Sequence, residues 1–256
     1  ALVETATSLA ILLGSLFGGV LVTVFDADVT VLGGSLIFIA VIGWAFSRNM
    51  PIGVAIEPKQ RTDYHIVRNT KACLSALRSN AFRWQLCLGI SWFWLFGALW
   101  LTQLPEFTAR YLGGDAGVAT ALLVLFSVGI GIGSLACHSL VKVLPPGRVV
   151  MIGGLMMAAL SLLIPSQPYV GELLSLRQWV EASGVWRHIV QLTAVGFGAG
   201  LYIVPLYVLI QTDAAEYERA QVIAGINVLN ALFMVSSALI AMVVLGVLGL
   251  SLYGLL

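Results

Sequence analysis

The chain has 256 residues, of which 59% are hydrophobic and only 10% charged, and its net charge is +1. A soluble domain carries roughly 25% charged residues, so this composition excludes an ordinary water-soluble globule and identifies a membrane protein. The near-zero net charge likewise excludes a field directed at nucleic acid.

Apolar runs of about twenty residues, enough to cross a hydrocarbon core of roughly 30 Å as a helix, recur along the chain. Strands of a membrane barrel would be about ten residues long and alternate apolar with polar. These runs do not alternate, so the predicted fold class is all-α and polytopic. In chain order the predicted spans cover residues 5–25, 29–47, 84–104, 116–141, 149–164, 189–211 and 221–245, with another beginning near 247. Breaks fall on turn chemistry at Asp26-Ala27-Asp28, Gly113-Gly114-Asp115, Pro145-Pro146-Gly147 and Pro165 to Pro168. The start at Ala1 lies inside a helical pattern, and GLSLYGLL ends the chain early in an apolar run. The expectation is a piece of a longer membrane protein, with no signal peptide.

Basic residues are retained on the cytoplasmic side of a membrane. One set of alternate loops holds Arg48, Lys59, Arg61, Arg68, Lys71, Arg78, Arg83, Lys142, Arg148 and Arg219; the other holds Arg110, Arg177 and Arg187. The first set marks the predicted cytoplasmic side, here the basic side, where the first span starts. The loop 48–83 on that side is the largest change in composition and divides two helices from six. Three segments follow: 1–47, the loop 48–83, and a helical half 84–256 whose last helix is cut short. Within the loop, Asn69 to Ala81 has helix formers behind a candidate Asn69 cap and places Leu74 and Leu77 three apart. Two readings stay open there, a helix along the membrane surface and a solvated linker. On the far side, Glu172 to Arg187 is read as a short amphipathic cap, with Trp179 and Trp186 suited to the interface.

Reactive chemistry is sparse. Cys73, Cys87 and Cys137 share no metal or redox spacing and are expected to be free thiols. His65, His138 and His188 have no ligand partner at helical spacing. The GIGIG stretch, Gly129 to Gly133, lies inside an apolar run rather than after a strand, so it reads as a close-packing surface and not as a dinucleotide loop. No nucleophile context and no acidic pair within a span are found. No catalytic residue, metal site, cofactor or enzyme activity is expected.

Polar groups inside the spans carry the functional signal. In GISWFWLFGALWLTQLP, Gly89 to Pro105, helical spacing puts Trp92, Phe96, Leu99 and Gln103 near one face, and Ser91, Trp94, Ala98 and Thr102 on the next. An indole N–H needs a partner that deep lipid does not supply. One reading is an aromatic packing helix whose hydroxyls bond its own backbone; the other is a cavity-lining helix. The second gains weight from Asn227, Asn230, Met234 and Ser237, spaced three, four and three apart as one polar stripe, because carboxamides are costly in hydrocarbon. Gln191, Tyr202, Pro205 and Tyr207 mark the preceding helix as a further candidate. The predicted substrate-binding set is Trp92, Trp94, Gln103, Gln191, Tyr202, Asn227 and Asn230. No span carries a charged residue well inside its limits, so no buried carboxylate for ion coupling is found.

Gly14-Ser15-Leu16-Phe17-Gly18-Gly19 resembles the fifth-helix GPxxGG signature of the major facilitator superfamily, with Ser15 in the place of proline. The loop from Gly133 to Arg148 resembles, in degenerate form, the second copy of that superfamily's GxxxDRxGRR loop, with Cys137 where the acid stands. Two spans, a basic loop and six more spans resemble the family from its fifth helix to the start of its twelfth. ETATSLAILLGSLFGG, GISWFWLFGALWLTQLP, FSVGIGIGSL and RAQVIAGINVLNALFMV are similar to the bacterial lysophospholipid transporter branch. They are most similar to the form fused to an acyltransferase and an acyl-ACP synthetase. The resemblance implies an alternating-access carrier that moves lysophospholipids between leaflets of a bacterial inner membrane for reacylation. It further implies a lipid or amphipathic substrate and a fused or neighbouring acyltransferase as partner. A drug or macrolide exporter of the same superfamily, and a membrane anchor for an acyltransferase, are the alternatives.

Overall fold

The computed structural model describes residues 28–49, 65–165, 167–215 and 218–255, together with residues 10, 13, 14, 17, 18 and 21. Most of the predicted span 5–25, residues 15, 16 and 19 of its glycine signature, and residues 50–64 of the basic loop lie outside the described residues. Within them the regular elements are helices: α1 (Val29–Ser47), α2 (Ile66–Arg78), α3 (Ala81–Phe107), α4 (Ala116–Leu140), α5 (Pro146–Ser161), α6 (Leu176–Glu181), α7 (Val185–Asp213), α8 (Arg219–Ala241) and α9 (Leu252–Leu255). Five are long and apolar enough to cross a membrane: α1, α3, α4, α7 and α8, with α3 and α8 extended by π-helical turns. The all-α membrane fold read from the sequence is the fold observed.

Local chemistry sets the ends. The Asp28 carboxylate caps α1, accepting from the amides of Thr30 at 2.7 Å and Val31 at 3.4 Å. Those two amides hold its carboxyl below the ordinary aspartate range. α1 is apolar on every face and buries none of its residues among those described, which suits a helix surrounded by lipid or other helices.

α2 starts three residues before the expected cap. His65 Nδ1, not Asn69, caps it by accepting from the Arg68 amide at 3.4 Å. Of the two readings left open for this stretch the linker is corrected: it is a helix, and it packs on α8 with Leu77 fully buried. The contact is close because residue 225 is glycine: a Cβ there would stand 2.9 Å from both the Cys73 carbonyl oxygen and Leu77 Cδ1.

α3 outruns its predicted limit of residue 104. It passes through Pro105 and a π-helical turn at Thr108–Leu112 before Gly113, at φ +65°, ends it. A proline in a membrane helix is tolerated when widened turns and hydroxyls satisfy the backbone, and the Thr108 hydroxyl donates to the Leu104 carbonyl at 2.7 Å. α5 has the length of the predicted 149–164 but lies three residues earlier in the chain. Pro146 opens it, its fixed φ and missing N–H suiting a first turn, and it stops at Ser161. Its 16 residues rise about 24 Å, short of a full crossing.

Glycine decides how α4, α5 and α7 meet. Gly129 and Gly133 on α4 face Gly196 and Gly200 on α7, and a Cβ at any of the four would overlap backbone of the other helix. Gly153 on α5 stands in the same relation to Gly198 and Tyr202 of α7, where its Cβ would lie 2.5 Å from one carbonyl oxygen and 2.6 Å from one amide nitrogen. The middle glycine of GIGIG, Gly131, has nothing within 4 Å of a Cβ.

On the far side, Glu172 to Arg187 contains the short helix α6 and is tied to the helices beside it. Leu174 N–H donates to Gly113 O at 2.8 Å and Asp115 N–H to Leu174 O at 3.0 Å, which ties the segment to the turn between α3 and α4. Trp179, expected at the membrane interface, is 2% exposed and donates its indole N–H to Leu112 O at 2.9 Å. Trp186 is exposed.

Candidate functional site

α3, α7 and α8 converge in the basic half around a small polar cluster. Asn230, 6% exposed, projects from α8 toward Ser91 of α3, which is fully buried. Its neighbours assign the amide: Nδ2 donates to the Ile226 carbonyl at 3.3 Å and to Ser91 Oγ at 2.8 Å, leaving Oδ1 to accept from Trp94 Nε1 at 3.2 Å. Trp94 Nε1 also lies 3.1 Å from the Tyr207 hydroxyl of α7. One serine, one carboxamide, one indole and one phenol thus bind three helices across an otherwise apolar contact, and each polar group has the partner that hydrocarbon would deny it.

Beside this cluster is a cavity of about 450 Å³ between the same three helices. That is within the usual range for small-molecule sites, roughly 300–1,000 Å³. Trp94, Tyr207, Gln211, Asn227 and Arg219 bring polar groups to its lining, and Ile210, Val222 and Ile226 apolar ones. Asn230 sits behind Trp94, one turn along α8 from Asn227.

The basic end of the same three helices is closed by a charge cluster. Arg83, in the first turn of α3, has a side chain only 7% exposed; its Nε lies 2.9 Å from Asp213 Oδ2 and its Nη1 3.2 Å from Glu218 Oε2. Nη1 also donates to the Ala76 carbonyl of α2 at 3.2 Å. A single guanidinium therefore joins the end of α2, the start of α3, the end of α7 and the residue before α8.

The predicted site residues do not all meet. Trp94 and Asn227 line the cavity, and Asn230 backs it. Trp92 is two residues from Trp94, roughly 200° around the helix, and points elsewhere: it stacks on Phe96 at 5.7 Å and lies 5.7 Å from the Tyr202 ring. Tyr202 donates its hydroxyl hydrogen to Gly89 O at 3.2 Å. Gln191 donates to Leu160 O of α5 at 2.7 Å. Gln103 sits about 18 Å along α3 from Ser91, with Thr102 Oγ1 3.4 Å from its Nε2. Sequence reasoning missed Arg83, Gln211 and Arg219, which only the assembled helix ends bring to the site.

The family model described as Major Facilitator Superfamily matches residues 1–238 of the chain. No curated protein and no solved structure matches it.

Proposed function

Because the chain belongs to the major facilitator superfamily, whose members are multi-pass secondary membrane transporters, we propose that its cargo is a lysophospholipid, moved from the outer to the inner leaflet of a bacterial inner membrane. The observation that carries this reading is the mixed lining of the cavity. A lipid with one acyl chain needs hydrogen-bonding groups for its head and apolar contact for its tail, and Trp94, Tyr207 and Asn227 share one space with Ile210, Val222 and Ile226. Trp94 and Asn227 meet the cargo directly, and Asn230 holds Trp94 in place. Trp92, on another face of α3, and Tyr202 of α7, whose ring packs against it, belong to the greasy path between the helices rather than to head-group contact.

Transport follows by alternating access, the residues 1–47 belonging to one half and 84–256 to the other, with 48–83 as the connection. The natural partner is an acyltransferase that reacylates the delivered lipid. The test is uptake of labelled lysophosphatidylethanolamine by the full-length protein in proteoliposomes. Wild type takes it up, and Asn227→Leu and Trp94→Leu lower uptake severalfold at equal protein level. Absence of uptake by wild type overturns the cargo; wild-type uptake by both variants overturns the site. Transport of a labelled macrolide, with lysolipid uptake absent, supports a drug exporter instead.

A further inference from the structure

The charge beside the cavity is unevenly disposed. Among the described residues lining it, Arg219 is the only charged one. Its two nearest acidic neighbours in the described chain, Asp213 and Glu218, are both engaged by Arg83 at 2.9 and 3.2 Å. Arg219 itself is exposed and makes no ion pair or side-chain hydrogen bond among the described residues. Gln211 and Asn227, both exposed and both lining the same space, are likewise without a side-chain hydrogen bond there.

A guanidinium beside two carboxylates ordinarily pairs with one of them. Here a second, buried guanidinium takes both, and among the described residues none engages the five N–H donors of Arg219. The two free carboxamides add further donors, and Arg219 opens α8, where the helix dipole is positive. Val222 and Ile226, one and two turns along α8 from Arg219, add apolar lining to the same space. An anionic oxygen group on an apolar tail satisfies both kinds of lining, and a phosphate suits a planar guanidinium fork because two of its oxygens accept in parallel.

We infer that Arg219, with Gln211 and Asn227, forms a subsite for the phosphate group of the cargo, and that Arg83 keeps this subsite open by holding Asp213 and Glu218 away from it. The inference rests on the lipid-carrier reading for the tail, whereas the phosphate contact stands on the charge arrangement alone.

Equilibrium binding to the full-length protein in a maltoside detergent tests it with three probes: 1-palmitoyl-lysophosphatidylglycerol, 1-palmitoylglycerol with the same tail and no phosphate, and inorganic phosphate. Wild type binds the lysophospholipid about tenfold or more tighter than the monoacylglycerol, as one charge-assisted contact warrants. Arg219→Gln abolishes that difference without weakening monoacylglycerol binding, and Arg219→Lys retains part of it. A preference unchanged in Arg219→Gln overturns the subsite. Equal wild-type affinity for the two lipids also overturns it, yet leaves an amphiphile carrier standing. Failure to bind either lipid, with inorganic phosphate bound through Arg219, upholds the subsite and overturns the lipid cargo. Failure to bind any probe overturns both.

Discussion

Adjacent glycines on α5 have opposite surroundings, and the pair isolates the helix packing from every other term. A Cβ on Gly153 would lie 2.5 Å from the Gly198 carbonyl oxygen and 2.6 Å from the Tyr202 amide nitrogen. On Gly154 it would meet only the Tyr202 ring edge, at 3.4 and 3.5 Å, an ordinary contact. Both Gly→Ala changes gain the same helix propensity, about 0.8–1 kcal/mol. Gly153→Ala must in addition push α5 from α7 by roughly 0.5–1 Å, a gap that forfeits a quarter to a half of each dispersion contact across the interface. Overpacking of this kind costs about 1–3 kcal/mol, so Gly153→Ala should be less stable than Gly154→Ala by about that amount. Buried thiols report it directly: Cys87 and Cys137 are shielded in the folded protein, and their reaction with a thiol-activated fluorophore during heating in detergent marks unfolding. Gly154→Ala should melt at or above wild type and Gly153→Ala below it. Coincident melting curves for the two variants, or the reverse order, would refute the close-packed α5–α7 contact.

Other expectations follow from the same coordinates. Arg83→Met should lower stability by about 1.5–3 kcal/mol, the scale of hydrogen bonds to charged groups; Asp213 and Glu218, 22% and 34% exposed, can regain water, which keeps the loss below that of a sealed ion pair, and the same thiol assay reads it. Trp179→Phe keeps the ring but leaves the Leu112 carbonyl without its indole donor, which should cost about 1–3 kcal/mol and increase proteolysis of the far-side segment. Asp28 has a depressed carboxyl, so its capping of α1 is fully present above the ordinary aspartate value of 3.8 and fades as pH falls through its lower folded value. Amide exchange at Thr30 and Val31 should therefore accelerate only in strong acid in wild type, and Asp28→Asn should remove that pH dependence.

Five of the predicted membrane spans were legible because apolar length is a local property, as were the two faces of α3. Spacing alone separated Ser91 and Trp94 from Trp92, Phe96 and Gln103, and the structure gives those faces different neighbours. Which face would meet α8 was not legible, since that depends on where Asn230 arrives from 139 residues away. The Arg83 cluster was hidden for the same reason: Asp213 and Glu218 lie 130 and 135 positions from it, and each looks in sequence like one more charge at a membrane boundary. Helix limits moved where backbone satisfaction could not be read locally. Pro105 looks like a stop, but the π-helical turn and the Thr108 hydroxyl carry α3 onward. Trp179 looked like an interface anchor because aromatic residues near a span end usually are; its burial follows from hydrogen bonds between segments about sixty residues apart.

Two kinds of joint hold these helices, and they differ in what movement they permit. α4, α5 and α7 meet backbone to backbone through glycine, where a displacement of even a fraction of an ångström either overlaps atoms or opens a gap, so the three are constrained to move as one block. α3 and α8 meet through side chains: Ser91, Asn230 and Trp94 at one level and the Arg83 carboxylate contacts at the other. Hydrogen bonds between flexible side chains tolerate small rotations that a glycine contact does not. The cavity lies where the two kinds of joint adjoin, with Tyr207 and Gln211 contributed by the rigid block and Trp94, Asn227 and Arg219 by the side-chain-linked pair. Rotation of α8 against α7 would therefore change the cavity's width while leaving α4, α5 and α7 undisturbed, and the Arg83 contacts to Asp213 on α7 and Glu218 beside α8 span the very junction that such a rotation must pass through.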